Sequence, residues 1–145
     1  MAGTLTPERT AQRLCELSAD ARAAVLLDAA GAPAAVHGVP AGRANELAEL
    51  ARELFEAVDD ARVAGGPPEQ VEVQVDGGAV YASRTPRWTL AVVARRAALS
   101  SLMLMDLRAV LGELEHGATI RRATAAATEE GAAFESPVPE LGVDE

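Results

Sequence analysis

A chain of 145 residues, 49% hydrophobic and 24% charged, makes one ordinary domain whose core needs no disulfide or metal staple. Thirteen basic side chains against twenty-two acidic ones leave a net charge of −9, which argues against a nucleic-acid-binding module and an anionic membrane surface. Every basic residue is arginine, which excludes a lysine Schiff base, a Walker A lysine or a lysine general base.

Cys15 is the sole cysteine and cannot close an internal disulfide, which fits a reducing, cytoplasmic setting. Met1 to Leu5 lacks the positive n-region of a signal peptide. No apolar run approaches the roughly 18 residues of a membrane span.

In chain order, Thr6-Pro7-Glu8 predicts a helix start with a hydroxyl N-cap, proline at N1 and an acid in the first turn. That helix runs to about Ala19. Ala23–Asp28 and Ala34–His37 are two short strands around the Gly31 turn. The clearest helix runs from Gly42 to about Arg62. Leu47, Leu50, Ala51, Leu54, Phe55 and Val58 share one stripe, opposite a face of Glu46, Glu49, Arg52, Glu53, Glu56, Asp59 and Asp60. Ala64-Gly65-Gly66-Pro67-Pro68 stops it.

From Gln70 the period changes to two. Val71, Val73 and Val75 alternate with Glu72, Gln74 and Asp76, and Asp76-Gly77-Gly78 is a hairpin turn. Val80–Thr85 returns, and Trp88–Ala94 is a third, more apolar strand, which completes an antiparallel meander. Leu99–Glu115 is the last helix: Leu99, Leu102, Met103, Leu107, Val110, Leu111 and Leu114 form its apolar stripe, with Gly117 as its C′ residue. Residues 1–116 thus form the domain. Residues 117–145, with two arginines and six acids, read as a mostly disordered or loosely helical tail.

The order α-β-β-α-β-β-β-α describes an α+β domain with one antiparallel sheet. It resembles the roadblock/LC7 domain family from about Leu14 to Leu114. The resemblance lies in VLLDAAGAPAAVHG, the helix ELAELARELFEAV, the glycine-rich break, the meander VEVQVDGGAVYASRTPRWTLAVVA and the closing RAVLGEL. No single motif is specific; the register of the whole carries the likeness. It implies a five-stranded sheet with the long helix on one face and both terminal helices on the other, a profilin-like layout. It also implies a homodimer, or a heterodimer with a paralogous roadblock subunit, paired through the long helix and third strand. The interface would take in Leu47, Leu50, Leu54, Phe55, Val71, Glu72, Val73, Gln74 and Val75. A regular edge strand such as Val71–Val75 independently needs cover or a partner, and a two-fold mate supplies one. Bacterial members of the family regulate, or scaffold, Ras-like small GTPases.

The chemistry-bearing residues offer no reactive constellation. His37 and His116 are too few and too far apart in the chain for a metal site, and His116 suits a helix C-terminus. Cys15 has no activating neighbour in the sequence, and Ser100-Ser101 reads as a helix cap. Gly65-Gly66 and Gly77-Gly78 lack the strand–loop–helix order of a phosphate cradle. The expectation is therefore a non-enzymatic regulator with no cofactor and no metal, which binds a Ras-like GTPase but neither nucleic acid nor membrane. Arg43, Arg84 and Arg87 are its candidate partner contacts. A pure scaffold is the alternative, and a PAS- or profilin-like ligand sensor a third class. Met103, Leu104 and Met105 make the last helix apolar on more than one face, so exposed area there would be a second docking surface.

Overall fold

The computed structural model describes residues 4–61 and 69–135. The chain forms α1 (Pro7–Leu17), β1 (Ala21–Leu27), β2 (Pro33–His37), a 3-10 turn (Ala41–Arg43), α2 (Ala44–Asp60), β3 (Gln70–Val75), β4 (Gly78–Arg84), β5 (Thr89–Arg95) and α3 (Ser100–Glu135). The five strands make one sheet in the order β2-β1-β5-β4-β3, every neighbouring pair antiparallel. This is the expected α+β architecture, and each expected element is present. The glycine–proline stretch assigned as the stop of α2, and the last ten residues of the tail, lie outside the described residues.

Strand alternation sorts the core into two layers. Ala24, Leu26, Tyr81, Leu90, Val92 and Ala94 point to one face, where Ala11 and Leu14 of α1 and Met103, Leu107, Val110, Leu111 and Leu114 of α3 cover them. Ala23, Val25, Leu27, Ala82 and Ala91 point to the other, beneath Leu47, Ala48, Ala51 and Phe55 of α2. The small alanines at the sheet centre let helices lie close on both sides. Arg13 of α1 meets Glu113 of α3 at 3.2 Å and ties the two helices of one layer together.

Three local expectations change. Thr6 precedes α1 in extended geometry with Pro7 behind it, yet its side chain makes no cap bond; its carbonyl instead accepts from the Thr10 hydroxyl at 2.8 Å. Leu99 and Leu102 leave the expected buried stripe, at 67% and 46% exposure: Leu99 precedes α3, and the buried residues of the helix are Met103, Leu107, Val110, Leu111 and Leu114. Finally, Gly117 does not end α3. The helix passes through it to Glu135, and residues 117–135 of the expected tail are its continuation. The glycine answers a close backbone approach by Leu5 rather than a helix stop.

Candidate interaction surface

Beta3 lies at the sheet edge, hydrogen-bonded on one side only, to β4. Its valines share the α2 face: Val71 packs partly into that layer, Val73 is half-buried and Val75 is 48% exposed. Alpha2 packs chiefly on β1, β2 and β5, with Val71 of β3 at the margin of the same layer. On α2, Leu50 is 38% exposed and Leu54 half-buried, whereas Leu47 and Phe55 are core residues in this layer. Of the residues expected at an interface, Leu50, Leu54 and those of the edge strand are the ones exposed or half-buried in the single chain. Beside Leu50, Asn45, Glu46, Glu49 and Glu53 line a shallow, acidic groove of about 430 Å³.

The polar residues of β3 point to the opposite face and are held by α3. Ser100 Oγ donates to Glu72 Oε2 at 2.6 Å and lies 3.3 Å from the Tyr81 hydroxyl. Gln70 Nε2 donates to the Leu104 carbonyl at 3.0 Å and to Ser83 Oγ at 3.3 Å. Ser100 is thus the first residue of α3, but its hydroxyl serves the sheet rather than the helix end. These tethers were not visible in the sequence, since nothing there brings residues 70 and 104 together.

Two arginines fasten α2 to the sheet. Arg52 Nη1 donates to the Gly31 carbonyl in the β1–β2 turn, which Asp28 Oδ1 closes by accepting from the N–H groups of Ala30 and Ala32 at 2.9 and 3.0 Å. Arg84, at the end of β4, sits 4.3 Å over the Phe55 ring and donates to both oxygens of Asp59 at 2.6 and 3.1 Å. That bidentate bond holds the Asp59 carboxyl below its ordinary pKa. Arg84, one of the candidate partner contacts, therefore clamps α2 to the sheet within the chain.

Arg43 pairs with Glu46 at 3.3 Å in an exposed position at the start of α2, about 24 Å along the helix from Asp59 and its clamp. Arg87 is exposed in the β4–β5 turn and makes no ion pair among the described residues. The three candidate arginines do not converge on one point.

A second apolar patch lies at the start of α3 and the residue before it. Leu99, Leu102 and Met105 are 67%, 46% and 59% exposed, and a groove of about 570 Å³ runs between Gln70, Ser101, Leu104, Met105, Arg108 and Ala109. Cys15 is half-buried, and burial pushes its thiol pKa up, away from nucleophilic activation. Among the described residues, no three His, Cys, Asp or Glu side chains gather as a metal site, and no helix is long and apolar enough to cross a membrane.

No protein-family model matches the chain, and no curated protein matches it in sequence. Solved structures do. A roadblock/LC7 domain from Streptomyces avermitilis superposes with a TM-score of 0.67 at 25% identity, over 74% of this chain and 93% of that one. MglB from Myxococcus xanthus matches with a TM-score of 0.65 at 15% identity, over 80% and 88% of the two chains. Profilin IB from Acanthamoeba castellanii matches at 0.53 and 12%, over 77% and 99%. The last two likenesses are of fold alone.

Proposed function

Taking as premise that this chain has the roadblock/LC7 fold, we propose that it is a paired, non-catalytic regulator that binds a Ras-like small GTPase and biases its switch conformation. The observation that carries the reading is the superposition on a roadblock/LC7 domain across nearly that domain's whole length. Consistent with it, β3 is left as an open edge flanked by apolar side chains of α2. An edge strand of six regular residues is a site for pairing, and Leu50, Leu54, Val73 and Val75 extend the apolar surface beside it.

Switch ordering is favoured over an inserted arginine. A catalytic arginine in trans must be free to reach the transferring phosphoryl group. Arg84 is engaged by Asp59 and Phe55, and Arg43 by Glu46. Arg87, exposed in the β4–β5 turn, is the one of the three with no ion pair among the described residues. The test is capture from native lysate on immobilised protein, in parallel with GDP and a non-hydrolysable GTP analogue, followed by a turnover assay. A Ras-like GTPase enriched with the triphosphate supports the regulator, and stimulated phosphate release that survives Arg87→Ala supports switch ordering. Equal recovery with either nucleotide, or no GTPase at all, moves the function to a scaffold.

A further inference from the structure

Helix α3 outruns the domain it belongs to. Its last residue in the core is Leu114, and the N-terminal segment crosses it at Gly117 and Arg121. The helix nevertheless continues to Glu135, about 27 Å past Gly117. Residues 119–128 are all exposed, with Ile120 at 39%. A helical stretch of this length is marginal in water by propensity alone, and helices in proteins are held mainly by packing an apolar face. Ile120, Ala123 and Ala127 recur at helical spacing and form such a face, without cover from the domain.

The charges of the extension are divided along its length. Residues 119–128 carry Arg121 and Arg122 and no acid, whereas residues 129–135 carry Glu129, Glu130 and Glu135 and no base. Pairs within one helix form between residues three or four positions apart. No acid stands at that spacing from either arginine, and Arg122 and Glu129 are seven positions apart, about two turns. Accordingly, neither arginine is in an ion pair among the described residues. Arg121 Nη1 donates to the Leu5 carbonyl at 3.2 Å and Arg122 Nη2 to the Thr119 hydroxyl at 3.5 Å.

We propose that residues 119–135 of α3 pair antiparallel with the same stretch of a second copy of this chain, about a two-fold axis near Ala125 and Ala126. This contact lies outside the roadblock fold and does not depend on the pairing at β3.

The charge pattern selects both the partner and the direction. A two-fold axis perpendicular to the helices sets the basic half of each copy against the acidic half of its mate, so the complement is supplied twice by the chain itself. A parallel pair would set like charges together at both ends. The middle of the extension is Ala125, Ala126 and Ala127, whose small side chains let two helices approach closely. The row of Ile120, Ala123 and Ala127 then gains an apolar mate. The two domains stand at opposite ends of the helix pair, which leaves both β3 edges uncovered.

Sedimentation of the full chain at tens of micromolar and low salt tests the proposal. Glu129→Arg/Glu130→Arg makes both halves of the extension basic, and Arg121→Glu/Arg122→Glu makes both halves acidic. Each variant alone should associate through α3 at least about tenfold more weakly than the parent, because like charges then meet twice. An equal mixture of the two sets acid against base throughout and should recover most of that loss. Since Arg121 also holds the Leu5 carbonyl, recovery in the mixture shows that the loss is electrostatic rather than a loosened N-terminal segment.

The comparison reads the helix contact whether or not β3 also pairs. With β3 paired, the variants keep the mass of that pair and the parent is heavier. With β3 unpaired, the variants are single chains and the parent is a pair. Equal masses for the parent and both variants would overturn the α3 contact in either case. A loss in both variants that the mixture fails to recover would overturn it as well.

Discussion

Gly117 and Leu5 meet backbone to backbone: a Cβ on residue 117 would stand 2.9 Å from the Leu5 carbonyl oxygen and 3.2 Å from the Thr4 Cβ. The same carbonyl accepts from Arg121 Nη1 at 3.2 Å, one turn further along α3. The entry to α1 is therefore strapped across the middle of the last helix, and only a residue without a side chain leaves room for it. Gly117→Val should lower unfolding stability by about 1–3 kcal/mol through overpacking. Gly112, also within α3, has nothing within 4 Å of its would-be Cβ, so Gly112→Ala should raise stability by about 0.5–1 kcal/mol through helix propensity alone. Thermal or urea denaturation of the two variants should give opposite signs.

The Arg84–Asp59 clamp carries a pH signature. Asp59 titrates below its ordinary range in the folded protein because Arg84 bonds its ionised form. A depressed folded-state pKa gives stability that is present above the unfolded value of about 3.9 and is lost as pH falls through the folded value. The stability difference between the parent and Asp59→Asn should be level at neutral pH and shrink in acid below about pH 4. Arg84→Ala should lower Tm by several degrees, since it removes both the ion pair and the packing over Phe55. Denaturation followed across pH checks both.

The two sides of α3 should respond differently to truncation. Leu107 is fully buried against the sheet, and Leu107→Ala should cost about 2–5 kcal/mol by leaving a cavity. Leu102, 46% exposed, should tolerate Leu102→Gln within about 0.5 kcal/mol. Urea midpoints of the two variants give the comparison.

Cys15 should be sluggish toward alkylation. Burial raises its thiol pKa, so the thiolate fraction at any given pH is smaller in the folded chain than in the unfolded one. Iodoacetamide labelling at pH 8, followed by mass spectrometry, should be slower in native buffer than in denaturant. Equal rates would mean that α1 leaves the thiol open.

The sequence by itself determined the order of elements. The period of two in Gln70–Val75 and the helical stripe of Leu47, Ala51 and Phe55 follow from local geometry, and both lie where the periods put them. The turn at Asp76-Gly77 is equally local, because Gly77 takes φ +82° at no steric cost.

Tertiary structure decided everything that depends on residues far apart in the chain. A glycine after an apolar stripe signals a helix stop, yet at residue 117 it answers the approach of Leu5, more than a hundred positions away. An arginine beside a turn reads as a candidate partner contact, but at Arg84 the packing of α2 onto the sheet brings Phe55 and Asp59 beneath it. Leucines at helical spacing read as one buried stripe, yet Leu99 precedes the first residue of α3 and Leu102 stays 46% exposed. Local periodicity is set by backbone geometry, which neighbouring residues share. Burial, ion pairing and close approach depend on which distant surfaces meet, and that is settled only when the whole chain has folded.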